Sequence, residues 1–244
     1  MLVAFAVGIA TSCSLIVGAV IALHSKPSER TLGLVMAFGA GVLLSAVAYD
    51  LVLEAVEISG GVGIALGVAA GALTFFVGDR MIDAAGGGNR KAVGQRDAVG
   101  SPKAIVLGTV LDGVPESIVV GLTLLGGGGV SVALFAAVFL SNLPESMAAT
   151  SGLAATVSTG RILALWSSVT VSSGIAAAIG YGVLGDAPAF AVAFVLAFAA
   201  GAVLTMLADT MMPEAFKHAR RLAGLATTLG FVVAFAIAQA ERAG

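Results

Sequence analysis

The chain has 244 residues, 59% hydrophobic and 11% charged, with 12 Lys and Arg against 14 Asp and Glu for a net charge of −2. Soluble domains carry about 45–50% apolar and about 25% charged residues, so this composition, with a mean hydropathy of +1.07, points instead to an integral membrane protein. The near-neutral charge gives no sign of a nucleic-acid partner, and a single cysteine, Cys13, excludes an internal disulfide framework and a thiolate cluster.

Helices that face lipid are apolar all round, so run length carries more information than periodicity, and about 20 apolar residues span the hydrocarbon core. Breaks in the apolar runs predict eight spans, at 1–23, 31–56, 60–82, 102–125, 130–155, 161–183, 188–215 and 219–240. "ATSC" at 10–13 loosely resembles a lipoprotein cleavage site. No positive residue precedes it and no hydrophilic domain follows, so the first run reads as a retained span. The connections are short except 83–101, "DAAGGGNRKAVGQRDAVGS", whose Gly-rich, mixed-charge composition predicts flexibility. The expected fold is therefore one all-α membrane bundle over 1–244, not separable domains.

Basic residues cluster in the odd-numbered connections: Lys26 and Arg30; Arg90, Lys91, Arg96 and Lys103; Arg161; Lys217, Arg220 and Arg221. The second, fourth and sixth connections have none. By the positive-inside rule the odd connections are cytoplasmic and both termini extracytoplasmic. "KHARR" at 217–221 reads as an orientation signal that also touches anionic lipid. His24 and His218 lie in cytoplasmic connections and are expected to be solvated.

The chain also repeats: "FGAGVLLSAVAYDLVLEA" at 38–55 aligns without gaps on "FAAGAVLTMLADTMMPEA" at 198–215. The charge rule sends these two spans across the membrane in opposite directions. Inverted repeats around broken central helices are a mark of secondary transporters, with the site near the midplane. Gly63, Gly67 and Gly71 in span three form a double GxxxG, read as close helix packing. Met206, Met211 and Met212 are read as packing residues.

The chemistry concentrates in "LDGVPESIVVG" at 111–121 and "LSNLPESMAAT" at 140–150. On a helix Asp112 and Glu116 share one face, as do Ser141 and Glu145, with Asn142 one step round. Pro115 and Pro144 cannot donate to the carbonyls of Leu111 and Leu140, which frees further oxygens beside the acids. Carboxylates, an amide, a hydroxyl and carbonyls are ligands for a hard or borderline divalent cation. Each carboxylate in a span costs about 2.5–3.5 kcal/mol, so Asp112, Glu116 and Glu145 together cost roughly 8–10 kcal/mol if left without a counter-charge. No Lys, Arg or His lies in the apolar interior of any span, so protons or a bound cation must supply that charge. Asp50 and Glu54 in span two, and Asp209, Thr210 and Glu214 in span seven, read as vestibule residues along the ion's path. Wetted helix ends are the alternative for these five.

On these motifs the sequence resembles the ZIP (Zrt/Irt-like) family of divalent metal transporters over nearly its whole length. The resemblance rests on eight spans with external termini, a long third connection, Pro-Glu motifs in spans four and five, and a "PEA" ending to span seven. It implies a 3+2+3 arrangement with inverted repeats: a first repeat at 1–82, the loop 83–101, central motif helices at 102–155 and a second repeat at 161–240. It implies that Asp112, Glu116, Ser141, Asn142 and Glu145 form the transport site, and relatives suggest a homodimer. The family's span-four His is Asp112 here, its neighbouring Asn is Gly113, its span-seven His-Glu pair is Asp209-Thr210, and span six carries no acid, which argues against a binuclear centre. Without imidazole the site is less suited to zinc and better suited to manganese, iron(II) or magnesium.

The expectation is thus a multi-pass protein of the plasma (inner) membrane that takes up a divalent cation, zinc, manganese, iron(II) or magnesium, as substrate. No prosthetic group is expected, and the bilayer and the metal ion are its partners. It is not expected to be an enzyme. A ZIP-like metal sensor or scaffold without transport is one alternative. An intramembrane aspartyl hydrolase, for which Asp112 with Asp209 is the only attractive pair, is another.

Overall fold

The computed structural model describes residues 1–84, 102–126 and 131–243. From residue 85 on, the expected flexible connection lies outside the described residues, as does most of the Gly-rich fourth connection. Among the described residues the chain is all-helical with no strand. Its long helices are α1 (Leu2–Ser25), α2 (Glu29–Ile58), α3 (Val62–Ile82), α4 (Pro102–Thr123), α5 (Val132–Leu153), α6 (Thr159–Leu184), α7 (Ala189–Ala219) and α8 (Leu222–Ala243). Among the described residues seven helices, α1, α2, α3, α5, α6, α7 and α8, are long and apolar enough by length and composition to cross a membrane.

Local sequence explains the boundaries. Lys26 turns left-handed at φ 44° to end α1. The Ser28 hydroxyl then accepts the Thr31 N–H at 3.2 Å and caps α2. Ser131 caps α5 in the same way, accepting the Leu134 N–H at 3.1 Å. Gly61, at φ 116°, supplies a turn that only glycine adopts without strain. Pro188 precedes α7 and cannot extend a helix backwards. Pro115 and Pro144, by contrast, sit inside α4 and α5 without ending them.

Two π segments interrupt α2 and α7, at Val47–Val52 and Leu207–Met211. They fall at equivalent places in the aligned stretches 38–55 and 198–215. The packing follows the same correspondence. Helix α2 lies on α8 as α7 lies on α3, and α1 lies on α5 as α6 lies on α4, while α1 and α6 pack on each other. Glycines set the distances. A Cβ on Gly41 would strike the Thr227 carbonyl, and one on Gly230 the Phe38 carbonyl. In the other half, Gly201 meets the Val68 carbonyl and Gly71 the Phe198 carbonyl in the same way. The GxxxG glycines therefore admit α7: Gly67 and Gly71 face its backbone, and Gly63 faces the Phe190 ring. Met206 and Met211 are buried in the core, each 1% exposed.

The bundle's ends sort as a serpentine chain requires. Connections one, five and seven meet at one end, where Lys26–Glu29 lie beside Ser151–Ala155 and Glu29 meets His218. At the opposite end Met1 lies against Gly182, and Glu241 of α8 reaches the start of α5.

Candidate ion site

Asp112, Glu116, Ser141, Asn142 and Glu145 are all buried, at 8% exposure or less. A cavity of about 10 Å³, room for one water-sized particle, takes in Glu116 of α4 and Asn142 and Glu145 of α5. Asp112 and Ser141 are buried next to it along their helices but do not line it; the Ser141 hydroxyl donates to the Val138 carbonyl at 3.0 Å.

The remaining lining comes from residues the sequence did not single out. Ser12 of α1, Thr109 and Ser117 of α4 and Ser173 of α6 bring hydroxyls to the same cavity. Their signal was helical spacing: Thr109, Gly113, Glu116 and Ser117 repeat at three to four residues and so occupy one face of α4. In spans one and six a serine among alanines and glycines gave no comparable signal, because serine is common in membrane helices.

Helices α1 and α6 complete the walls through Ser12, Leu15, Val169 and Ser173, and no residue of α2 or α7 lines the cavity. The close approach of small residues explains it. Gly18 of α1 sits against the Leu143 carbonyl and Ser146 hydroxyl of α5, and Gly8 against Ser173 and Gly174 of α6. Gly121 and Gly180 bring α4 and α6 backbones together at the Ala177 and Ile118 carbonyls. Two hydrogen bonds fix the frame: Trp166 Nε1 of α6 donates to Thr150 Oγ1 of α5 at 2.8 Å, and Thr170 Oγ1 donates to the Ser12 carbonyl at 3.2 Å.

The donor set is chemically uniform. The polar residues that line the cavity carry two carboxylates, one amide and four hydroxyls, with no imidazole or thiol among them, and Leu15, Gly113, Val138 and Val169 complete the lining. Among the described residues no group of three or more His, Cys, Asp and Glu converges on a metal position. A cation held here would therefore be coordinated by two acidic oxygens supplemented by neutral ones, a pattern that suits hard ions.

The five vestibule candidates do not reach the cavity. Asp50 lies in the π segment of α2, half-buried, with Glu54 one step beyond in the same helix. Arg242 of α8 donates to the Tyr49 carbonyl at 2.8 Å, and its charge acts on both acids. Asp209 is exposed on α7, and the Thr210 hydroxyl donates to the Met206 carbonyl at 2.7 Å. Glu214, nearer the end of α7, accepts from His218 Nε2 at 2.9 Å and lies 3.8 Å from Lys217 Nζ. His218 is thus not solvated as expected. Its side chain is 9% exposed, with Nδ1 3.3 Å from Glu29 of α2. The absence of a side chain on Gly33 lets α2 come that close, since a Cβ there would lie 2.8 Å from the His218 Cβ.

No family model matches the chain. A protein of Arabidopsis thaliana named "Putative zinc transporter" is 29% identical to it over 190 residues, which make up 77% of this chain and 30% of that protein. The chain accordingly spans less than a third of the length of the relative it matches, and its similarity is to one part of that protein.

Proposed function

We propose that the protein carries a divalent metal cation across the membrane into the cytoplasm, through the carboxylate-bearing cavity between α4 and α5. The observation that carries this reading is the placement of Glu116 and Glu145 on one buried, oxygen-lined cavity inside a bundle of apolar helices. Carboxylates gathered beside an amide and hydroxyl-bearing residues are suitable ligands for a hard or borderline divalent cation. The relative named as a zinc transporter supports metal as the cargo.

In this reading all eight helices span, as a 3+2+3 bundle with inverted repeats at 1–82 and 161–240 flanking central helices at 102–155. The matching π segments and the mirrored glycine contacts support it. It is the arrangement of the ZIP family. The odd connections face the cytoplasm, and both termini lie outside the plasma (inner) membrane. Asp50 and Glu54 receive the ion at the outer end, Glu116, Asn142 and Glu145 hold it, with Asp112 and Ser141 in support, and Asp209, Thr210 and Glu214 pass it inward. Entry is favoured by about 2.3 kcal/mol per charge per 100 mV of inside-negative potential. A lining with no imidazole or thiol among its side chains favours manganese, iron(II) or magnesium over zinc.

One observation favours a second reading, a metal-binding sensor that does not transport: the cavity is closed down to the size of one water. A flux assay in proteoliposomes with Mn²⁺, Fe²⁺, Zn²⁺, Mg²⁺ and Ca²⁺ decides between them. Flux that disappears in the Glu116→Ala, Glu145→Ala double variant supports transport. Metal binding in detergent without flux supports the sensor, and flux that survives the double variant refutes the site. Asp112 is buried in α4 and Asp209 is exposed on α7, an arrangement that does not favour the hydrolase reading.

A further inference from the structure

A second pocket, of about 550 Å³, opens at the end of the bundle that gathers connections one, five and seven, and is lined by Arg30, His218, Arg220 and Arg221. It sits where the start of α2 meets the turn between α7 and α8. The acids nearby are already engaged: Glu29 and Glu214 flank the His218 imidazole at 3.3 and 2.9 Å, and Lys217 lies 3.8 Å from Glu214. Among the described residues no hydrogen bond or ion pair holds the side chains of Arg30, Arg220 or Arg221. Arg220 also adopts φ 51° and ψ −134°, a backbone conformation that side-chain-bearing residues rarely accept, within a turn only two residues long. Three arginines thus line one open cavity, and the nearby carboxylates Glu29 and Glu214 are engaged with His218 and Lys217.

We propose that this pocket binds the phosphate of an anionic phospholipid headgroup. Guanidinium forks match phosphate oxygens in a way that ammonium groups do not. The volume exceeds what inorganic phosphate fills, and the pocket opens where the start of α2 meets the turn between α7 and α8, at the ends of these long apolar helices. Phosphate there would join α2 to the α7–α8 turn through shared arginine contacts, next to the His218 bridge between the same elements. The inference is independent of whether the protein moves metal.

The test uses purified full-length protein in detergent, with phosphatidylglycerol, phosphatidylcholine or inorganic phosphate added, and lipid retention read by native mass spectrometry. The wild type should retain phosphatidylglycerol in preference to phosphatidylcholine. The triple variant Arg30→Gln, Arg220→Gln, Arg221→Gln should lose that retention by roughly tenfold or more, the scale of losing one or more charge-assisted contacts. The double variant Lys26→Gln, Arg161→Gln removes two positive charges at the same end but outside the pocket, and should retain the lipid. Should the triple glutamine variant not fold, Arg30→Lys, Arg220→Lys, Arg221→Lys keeps the charge and is still expected to weaken retention. A melting temperature raised by inorganic phosphate, without selective lipid retention, would keep the phosphate site but overturn the lipid as its occupant. Equal retention by wild type and the glutamine or lysine triple variant, or equal loss in the Lys26, Arg161 control, overturns the proposal.

Discussion

At the scale of single residues, Glu116 and Glu145 differ from the other acids among the described residues by sharing the cavity between α4 and α5. If they jointly hold the cation, Glu116→Gln and Glu145→Gln should each lower initial flux by about tenfold, as expected for loss of one charge-assisted contact. The double variant should reach background, read from a metal-sensitive dye inside proteoliposomes. Asp50→Asn should act differently, raising the half-saturating metal concentration with little effect on maximal rate, because it lies away from the cavity. Gly18 tests the walls. A valine there would push into the Leu143 carbonyl and Ser146 hydroxyl and should destabilise the protein by about 1–3 kcal/mol, read as a lower thermal unfolding midpoint in detergent. The two glutamates were legible in the sequence because acids in apolar runs are expensive and so conspicuous. The hydroxyls of Ser12, Thr109 and Ser173 were not, since such groups cost little in a membrane helix and only packing brings them to one point.

At the scale of helices, the end of α8 acts as a clasp. Glu241 accepts the Val132 and Ala133 N–H groups, each at 3.0 Å, and the Ser131 hydroxyl at 3.3 Å, capping α5 from another helix. One residue on, Arg242 ties down the Tyr49 carbonyl in the π segment of α2. Glu241→Ala should cost about 1 kcal/mol, the usual worth of a helix cap, and hydrogen exchange at Val132 and Ala133 should quicken without change elsewhere in α5. The apolar runs placed the helices to within a few residues, because lipid rewards uninterrupted length. The π segments were invisible in that reading. "VAYDLV" and "LADTM" have no Gly or Pro to mark them, and their extra residue is accommodated by packing and not by local preference. His218 was misplaced for a related reason: Gly33, far away in sequence, is what allows α2 to cover it.

At the scale of the whole molecule, both termini lie at one end of the bundle and the basic connections that are described lie at the other. If the charge rule holds, a cysteine introduced at Ala187 should react with a membrane-impermeant maleimide from outside intact cells, whereas one at Ala155 should react only after permeabilisation. The repeat was legible as an ungapped alignment. Its physical content, the pairing of α2 with α8 and of α3 with α7 through carbonyl-facing glycines, needed coordinates, because a glycine in a sequence does not name its neighbour.

That pairing carries a consequence for energetics. If the two halves are the inverted repeats proposed above, each asymmetric conformation has a counterpart of similar energy in which the opposite end of the proposed ion path is open. A bulkier side chain at Gly41 alone should then tilt the population toward one mouth, and the matching change at Gly201 toward the other. Introducing both should weaken the fold further while returning the balance toward even.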